Sequence, residues 1–312
     1  MELIRGTHNL KAEHHGCVLT IGNFDGVHLG HQAVLSQVRE QAQQLNVPSA
    51  VMTFEPQPQE LFQPEKAPAR LTNWREKYLA LRAQQVDRHI VIEFNKKFAS
   101  QPAQEFIEKT LVGKLGIQFL VVGDDFRFGY KREGDFKLLQ KAGKELGFEV
   151  VDTHSYRQKQ QRVSSTAIRE ALSDGDFEQA EQMLGRPYQM CGKVVHGRKN
   201  GRTIGFPTAN VPLKRLKSPL HGVFAVTAQV GENRETYSGV ANLGTRPTLN
   251  GDEVQLEVHL FEFSGNLYGQ QMTVTPVAKL RNEQRFASLQ HLQEQIEKDA
   301  ARARKALACR SQ

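Results

Sequence analysis

The chain has 312 residues, 39% of them hydrophobic, and is long enough to form two domains or one large one. Arginine and lysine number 41 against 34 aspartates and glutamates, which gives a formal net charge of +7. Such a balance is compatible with nucleic acid, a membrane surface or anionic small substrates. Because the basic residues are dispersed, we expect most of them to form a solvated surface, with phosphate-bearing substrates accounting for the rest.

No apolar run approaches the roughly 18 residues that a membrane-spanning helix requires. The first residues also lack the apolar core of a secretory signal. The three cysteines, Cys17, Cys191 and Cys309, are odd in number and lie far apart in the sequence. These features predict reduced thiols, a cytoplasmic location, no membrane partner and no structural metal site.

The first half alternates between β-favouring apolar runs and stretches in which apolar residues recur at helical spacing. Strands are predicted at 17–22, 48–54, 88–94, 117–123 and 148–154. Helices are predicted between them at 32–46, 73–85, 102–116 and 134–147, with a loop at 55–62. This alternation predicts a Rossmann-like parallel sheet with crossover helices, whose ligands lie beyond the carboxyl ends of the strands.

The pattern changes near residue 186. Two short helices are predicted within 163–188, and a final amphipathic helix at 288–307. Between them, turn residues separate short predicted strands at 189–195, 222–230, 235–243, 254–263 and 270–280. Such a series is typical of an antiparallel barrel or sandwich, and we expect a Greek-key β-barrel with a terminal helix. The predicted domains are therefore 1–185 and 186–312.

The stretch TIGNFDGVHLGHQAVL at 20–35 places His28 and His31 three residues apart where a helix is expected to begin. A helix N-terminus favours an anion, because its first N–H groups are unpaired and the helix dipole is positive there. Nearby glycines allow the backbone to approach phosphate oxygens. We predict that both imidazoles stabilise an α-phosphate as it becomes five-coordinate. In the alternative interpretation, His28 only caps the helix and His31 is exposed on its surface.

The segment GNFDGVHLGH resembles the His-x-Gly-His signature of nucleotidyltransferases, in the form found in bacterial FAD synthetases. VVGDDFRFG at 121–129 resembles the flavin- and nucleotide-contacting loop of that family, although Asp125 stands where some relatives carry asparagine. VSSTAIRE at 163–170 resembles its Ser-Ser-Thr-x-Ile-Arg motif, and Ser164 or Ser165 is also a good helix N-cap.

This resemblance implies that His28, His31 and Arg169 are catalytic, with Arg169 holding the β- and γ-phosphates that depart as pyrophosphate. It also implies a larger set of residues that contact nucleotide or flavin. These are Gly22, Asn23, Phe24, Gly26, Gly30, Asp125, Phe126, Ser164, Ser165 and Thr166.

A second dense segment, GRKNGRTIGFPTANV at 197–211, is glycine-rich and basic but contains no Gly-x-x-x-x-Gly-Lys-Ser/Thr run, so it is not a P-loop. Such segments still wrap phosphates with backbone N–H groups. Thr208 and Asn210 lie two residues apart, so they point to the same face of an extended segment. Their hydroxyl and amide oxygens suit Mg²⁺, which takes much of its coordination shell from water and ATP phosphates. The alternative is a simple hairpin turn.

Alternation along QLEVHLF separates two faces, one with Leu256, Val258 and Leu260 and the other with Glu257, His259 and Phe261. We predict that Glu257 faces a ligand and accepts a hydroxyl proton during phosphate transfer. The alternative is that Glu257 is an ordinary solvent-facing glutamate of a strand.

These segments resemble the flavokinase domain of the same bacterial enzymes, in which GFPTAN carries the metal-binding threonine and asparagine and LEVHLF the catalytic base. HGVFAV, GVANLGTRPT and LRNEQRFASLQHLQEQI resemble its other ATP- and flavin-contacting segments. The resemblance implies that Glu257 is the base and that Thr208 and Asn210 bind the metal. It assigns nucleotide or flavin contacts to Gly201, Arg202, Gly205, Asn242, Arg281 and Phe286.

Because the resemblance covers nearly the whole chain in order, the chain is identified as a member of the bacterial bifunctional riboflavin kinase/FAD synthetases. This implies that riboflavin is phosphorylated by ATP to FMN, and that AMP from a second ATP is transferred to FMN, giving FAD, with Mg²⁺ as cofactor. Two alternatives stay open. One is an adenylyltransferase for a pantetheine or nicotinamide phosphate whose barrel only binds, and the other is a basic RNA-binding barrel. The mostly aliphatic barrel strands argue against nucleic acid.

Overall fold

The computed structural model describes residues 1–153, 157–158, 161–197, 205–231, 235–248 and 251–310. By their contacts the residues form two compact units: Met1–Pro68 with Lys77–Val163, and Ala69–Glu76 with Ser164–Gln312. The boundary that the sequence pattern places after residue 185 stays a prediction. In the described ranges, no helix is both long and apolar enough to cross a membrane.

The first unit contains a six-stranded parallel sheet. Its strands are β1 (Glu2–Arg5), β2 (Cys17–Ile21), β3 (Ser49–Glu55), β4 (Arg88–Glu93), β5 (Ile117–Val122) and β6 (Glu149–Asp152). They are arranged in the order β1-β4-β3-β2-β5-β6. The predicted parallel sheet is confirmed, and β1 is an additional edge strand. A short hairpin of β7 (Arg157–Gln158) and β8 (Gln161–Arg162) follows the sheet.

The helices of this half largely follow the predicted order. They are α1 (Leu29–Leu45), α2 (Pro58–Phe62), α3 (Trp74–Ala83), α4 (Lys96–Ala99), α5 (Ala103–Glu105), a π-helical stretch over Phe106–Lys114 and α6 (Phe136–Leu146). The predicted loop at 55–62 is wrong because Pro58 occupies the first turn of α2, where a missing N–H costs nothing. The carboxylate of Glu60 also accepts the Gln57 N–H at 3.0 Å, which caps that helix.

The two faces of this sheet are covered by different crossover segments. On one face, Val38 of α1 packs in a cluster with Val18 of β2. On the other, Leu111 of the π-helical stretch packs in a cluster with Leu19. The chain leaves β2 towards β3 but returns to β5 on the opposite side of β2, so the strand order reverses between β2 and β5. In parallel sheets, ligands bind at the carboxyl ends of the strands at such a switch point.

The second unit contains a six-stranded antiparallel sheet. Its strands are β9 (Met190–Lys193), β10 (Ala209–Pro212), β11 (Gly222–Val230), β12 (Glu235–Thr248), β13 (Gly251–Leu260) and β14 (Gln271–Arg281). Their order is β10-β13-β12-β11-β14-β9, in which β11 to β14 form a Greek key. A bridge between Val195 and Asn210 brings the two ends of the sheet together. The predicted Greek-key barrel is therefore confirmed, in a nearly closed form.

The described part of this unit includes the helices α7 (Ser165–Asp174), α8 (Phe177–Leu184) and α9 (Leu289–Arg310). Ser164 is the N-cap of α7, because its side chain accepts the Ala167 N–H at 3.2 Å. The alternation along β13 is confirmed, since Leu256, Val258 and Leu260 are buried. On the other face, Phe261 is also buried because residues of α9 pack with it in one cluster.

A buried histidine and a buried lysine lie in the first unit. His89 of β4 is fully buried, and Thr53 Oγ1 lies 2.9 Å from its Nε2. Lys77 of α3 is 1% exposed. Burial, and then the charge of Lys77, lower the pKa of His89 from 6.5 to about 3. The folded protein therefore keeps this imidazole neutral over the whole range in which an ordinary histidine becomes protonated.

This lowered pKa predicts an acid-dependent loss of stability. Between pH 6.5 and about 4, the unfolded chain binds a proton at residue 89 that the folded protein does not, so the free energy of unfolding falls as the pH falls. The slope contributed by this one site is about 1.4 kcal/mol per pH unit. We expect His89→Gln to flatten the pH profile measured by urea denaturation, whereas His291→Gln, at an exposed position of α9, leaves it unchanged. An equal slope for wild type and His89→Gln would contradict this.

The segment 69–76 is held in the second unit by a buried ion pair. Arg215 Nη2 lies 2.7 Å from Glu76 Oε2, and their side chains are 0% and 7% exposed. The other carboxylate oxygen of Glu76 accepts the Cys191 N–H at 2.7 Å. Arg215 also donates to the hydroxyl of Tyr188 at 2.9 Å. Residues from the first quarter of the sequence are thus part of the core of the C-terminal unit.

Removing one partner of this pair is expected to destabilise the protein strongly. Arg215→Met removes the guanidinium that donates to the buried Glu76 carboxylate, which costs about 3–5 kcal/mol. Lys109→Ala is the control, because its ion pair with Glu105 is exposed and contributes about 0.3–0.5 kcal/mol. Urea denaturation of the full chain measures both, and equal small losses would show that the buried pair is unimportant.

Candidate active sites

His28 and His31 form a stacked pair at the start of α1. His28 is the N-cap of the helix, since its Nδ1 accepts the backbone N–H of His31 at 3.3 Å. A ring nitrogen that accepts carries no proton, so neutral His28 has its proton on Nε2. The two ring centroids are 3.6 Å apart with an interplanar angle of 16°. His28 is buried and His31 half-buried, so an exposed surface position for His31 is not observed.

The loop before this pair has an unusual backbone. Phe24, Gly26 and Val27 have φ values of 46°, 85° and 43°. A positive φ is common for glycine but is an outlier for a β-branched valine, and such conformations cluster at functional sites. The Phe24 ring lies 4.9 Å from that of His31, and Gln32 Nε2 donates to the Val27 carbonyl at 2.9 Å. These contacts hold the loop against the helix start.

The loop at 123–129 follows β5, the strand next to β2. Both motif loops thus follow strands of the parallel sheet, as the sequence predicted. Phe126 N–H donates to the Gly123 carbonyl at 3.0 Å, which closes a tight turn. Asp125 is exposed, while the Phe126 ring stacks on Phe128 with centroids 5.5 Å apart. The predicted residues of the first unit therefore lie in two segments at the switch point. The first runs from the loop after β2 into the first turn of α1 and holds Gly22, Asn23, Phe24, Gly26, His28, Gly30 and His31, and the second is the loop after β5 with Asp125 and Phe126.

A series of aromatic rings extends from this second loop. The rings contact one another with centroids 5.5 to 6.0 Å apart, in the set Phe62, Phe94, Phe54, Phe98, Phe106, Phe128 and Phe126. Phe54 lies near the carboxyl end of β3 and Phe94 directly follows β4, while Phe62 is 60% exposed. Of these residues only Phe126 belongs to a sequence motif, because the series depends on the strand order, which hydrophobic periodicity does not predict.

The residues of the Ser-Ser-Thr motif lie at the start of α7, in the second compact unit. Ser164 caps the helix, and Ser165 and Thr166 form its first turn. Arg169 Nε donates to the Ala69 carbonyl at 2.5 Å, within the same unit. The functional grouping of these residues with the two histidines stays a prediction.

In the second unit, strand register places predicted site residues in one row. Asn210 of β10 pairs with Glu257 of β13, and Glu257 pairs with Asn242 of β12. Asn242 pairs with Val223 of β11, which in turn pairs with Arg281 of β14. Directly paired residues of antiparallel strands project from the same face. Glu257 is exposed on this face, between the two asparagines.

Arg281 is held at the end of the row by α9. Its Nε donates to Asp299 Oδ2 at 2.8 Å, and the Asp299 side chain is only 2% exposed. The Phe286 ring centroid lies 5.6 Å from the Arg281 guanidinium. Asn242 Nδ2 donates to Glu283 Oε1 at 3.3 Å. The segment after β14 therefore contacts the row through Glu283 and Phe286. Asp299, which orients Arg281, belongs to no motif found in the sequence.

The oxygens predicted to bind metal lie at the other end of the row. Asn210 is 8% exposed, and its Oδ1 accepts Gln255 Nε2 at 2.5 Å. Thr208 is half-buried directly before β10. No cluster of three or more His, Cys, Asp or Glu that could hold a metal is found among the described residues. Hydroxyl and amide oxygens such as those of Thr208 and Asn210 are compatible with Mg²⁺, and their role as metal ligands stays a prediction. Gly205 has a φ of 81°, and Gly201 and Arg202 lie outside the described residues.

Comparison with known proteins decides the family. Residues 10–167 match the FAD synthetase family model, and residues 184–307 match the riboflavin kinase model. Bifunctional riboflavin kinase/FMN adenylyltransferases from Haemophilus influenzae and Escherichia coli K12 are each 53% identical to this chain. The alignments cover 97% of this chain and 98% and 97% of the relatives. The chain belongs to the bifunctional riboflavin kinase/FMN adenylyltransferase family.

Both enzyme domains of this family, the kinase and the adenylyltransferase, are present. A Streptococcus pneumoniae crystal structure described as a macrolide-efflux protein has the same fold, with a TM-score of 0.75 and 29% identity over 96% of this chain and 97% of that chain. The barrel half matches a kinase model, which argues against an adenylyltransferase whose barrel only binds. The family identified from the sequence motifs is confirmed.

The contact between Arg281 and Asp299 predicts a selective loss of kinase function. Asp299→Asn keeps the shape but removes the charge-assisted hydrogen bond, which is worth about 1.5–3 kcal/mol. We expect kcat/KM for riboflavin phosphorylation to fall by roughly 10-fold, with transfer of AMP to supplied FMN unchanged. Lys298→Ala, at the exposed neighbouring position, is the control. Wild-type phosphorylation by Asp299→Asn would show that Arg281 does not depend on this carboxylate.

Proposed function

We propose that the C-terminal unit transfers the γ-phosphate of ATP to riboflavin, giving FMN. The N-terminal domain then transfers AMP from a second ATP to FMN, giving FAD and pyrophosphate. Family membership supports both activities, and the predicted ligands are ATP, riboflavin, FMN and FAD, with no nucleic acid or membrane partner. The observation that carries the residue assignment is the row Asn210–Glu257–Asn242, because register alone places a carboxylate between two amides on one face.

Glu257 is proposed as the base of the kinase reaction. Its carboxylate accepts the proton of the riboflavin 5′-hydroxyl as that oxygen bonds to the γ-phosphorus, and the bond from phosphorus to the ADP oxygen breaks. Arg281 and Phe286 are proposed to contact the flavin beside the row. Asp299 balances the charge of Arg281 and fixes its guanidinium, so little reorganisation is needed when a ligand binds.

Thr208 and Asn210 are proposed to hold Mg²⁺ with their side-chain oxygens. Mg²⁺ neutralises charge on the ATP phosphates when it is bound there. Asn210 is held in place by Gln255 and is mostly buried, so its amide is oriented before any ligand arrives. The assignment is supported by the donor chemistry, since an amide and a hydroxyl leave most of the coordination shell to water and phosphate oxygens.

His28 and His31 are proposed to stabilise the transition state of adenylyl transfer. A phosphate oxygen of FMN bonds to the α-phosphorus of ATP while the bond to the pyrophosphate leaving group breaks. Because His28 Nδ1 already accepts a hydrogen bond, its Nε2–H is a fixed donor and not a base. Together with the N–H groups at the start of α1, the two rings supply positive potential to the pentacoordinate phosphorus. Ser164, Ser165, Thr166 and Arg169 are proposed to bind the departing pyrophosphate.

The aromatic series offers the adenylyl-transfer site a surface for a flavin ring. Flat aromatic ligands stack on or pack edge-to-face against phenylalanine. Phe62 is largely exposed although its ring contacts Phe94, so one end of the series is accessible. We propose that the isoalloxazine of FMN packs at this end. It would then lie at the same sheet edge as the segment with His28 and His31 and the loop with Asp125.

One pair of variants tests the assignment of reactions to sites. His28→Asn keeps a good helix N-cap but removes the imidazole Nε2–H. We expect FMN to accumulate with FAD formation reduced at least ~100-fold, the scale of removing an oxyanion-type donor. Glu257→Gln should do the reverse, abolishing riboflavin phosphorylation while AMP transfer to supplied FMN continues. Chromatography of reaction mixtures separates riboflavin, FMN and FAD.

The outcomes distinguish the roles of these residues. Wild-type FAD formation by His28→Asn would mean that His28 serves only as a cap. If a folded Glu257→Gln protein lost both reactions, the assignment of one reaction to each unit would be wrong. His28→Ala, which removes the cap as well, shows how much of any loss comes from the helix start alone.

A further inference from the structure

The second half of strand β13 carries polar residues on the face that bears the row. Gln255, Glu257 and His259 alternate with the buried residues Leu256 and Val258. Only Glu257 has a proposed chemical role. Gln255 lies two residues before Glu257 and His259 two residues after it. Both contact the stretch of chain that leads into β10.

Gln255 and His259 each contact the Pro207–Asn210 stretch, at opposite ends. Gln255 Nε2 donates to Asn210 Oδ1 at 2.5 Å. The Nδ1 of His259 lies 2.9 Å from the Pro207 carbonyl and, since a carbonyl only accepts, Nδ1 carries the proton. The stretch with the two proposed metal-binding oxygens is thus fixed at both ends to the strand that carries the proposed base.

Two further contacts restrict the same stretch. The ring of Phe206 meets that of His259 edge-on with centroids 5.2 Å apart, and Phe206 also packs against the cluster under α9. On the far side, a Cβ at Gly197 would overlap the Asn210 amide, so the backbone of residue 197 is packed directly against it. Asn210 consequently has little room to rotate away from Gln255.

We propose that Gln255 and His259 are positioning residues for the kinase reaction, which hold Thr208 and Asn210 at a fixed place relative to Glu257. This inference rests on the proposed function of that row. Residues that orient metal-binding groups through a hydrogen bond typically change metal affinity or activity by 10–100-fold when replaced. Neither residue touches the reacting atoms in this account. Their effect is therefore expected on the binding of Mg·ATP and not on the riboflavin KM.

Isosteric variants separate the hydrogen bonds from packing. His259→Phe keeps an aromatic ring without the donor, whereas His259→Asn places an amide N–H where Nδ1 was. Gln255→Met keeps the length of the side chain without the donor. We expect the KM for Mg·ATP to rise roughly 10-fold or more in His259→Phe and Gln255→Met, with the riboflavin KM unchanged and with recovery in His259→Asn.

Two measurements that do not depend on turnover complete the test. Calorimetry with Mg·ADP on the full chain should show the same loss of affinity as the KM. Hydrogen–deuterium exchange should show faster exchange of amides at 208–212 in the two defective variants, and wild-type exchange in His259→Asn. His291→Asn and Gln189→Met, in the same unit but away from β13, are the controls.

The result that would overturn the proposal is wild-type Mg·ADP affinity and wild-type exchange in both His259→Phe and Gln255→Met. An equal loss in His259→Phe and His259→Asn would also overturn it, because the hydrogen bond would then not be the cause. Glu257→Gln, measured in parallel, separates the two levels of the account. If it phosphorylates riboflavin normally, the proposed kinase site is wrong; if it is inactive while the other variants are normal, only the positioning role is wrong.

Discussion

Strand register is the constraint on which the C-terminal site depends. Asn210, Glu257 and Asn242 are distant in sequence and become neighbours only because β10, β13 and β12 pair in one register. A slip of one residue would turn Glu257 into the barrel and expose the leucine and valine beside it. The cost of exposing Leu256 and Val258, which are fully buried, therefore also fixes the position of the polar residues. One face of β13 packs in the core, and this packing fixes the positions of the polar residues on its other face.

The N-terminal unit also brings together residues that are distant in the sequence, but it does so with parallel strands. Its strands are parallel, so residues that follow different strands meet at one edge, and the reversal of strand order between β2 and β5 opens that edge to a ligand. Phosphate chemistry requires concentrated positive potential without a covalent nucleophile. In the proposed mechanism it comes from the start of α1, where His28 caps the helix and its ring stacks on that of His31. The loop before it holds Phe24 and Val27 at positive φ values. In both units side chains of the proposed sites are oriented by hydrogen bonds within the protein, as for His28, Asn210 and Arg281.

Local patterns in the sequence predicted most elements, and β11 was predicted to the residue at 222–230. Those patterns could not predict features that depend on distant partners. The segment 69–76 packs in the C-terminal unit because Glu76 meets Arg215, a pairing separated by 139 residues. Asp299 and the aromatic series were missed for the same reason, since each is defined by a contact across the fold. The helix α2 was missed because Pro56 and Pro58 are typical of a loop, although Pro58 lies in the first turn of the helix, where proline is well tolerated.

Two different phosphorus atoms of ATP are transferred in the proposed reactions, and isotope labelling distinguishes them. The full chain is incubated with riboflavin, Mg²⁺ and ATP labelled with ³²P at either the α- or the γ-position, and the flavins are separated over time. We expect γ-label to enter FMN and to be retained in FAD, and α-label to appear only in FAD. Label from the α-position in FMN, or FAD without γ-label, would contradict this expectation.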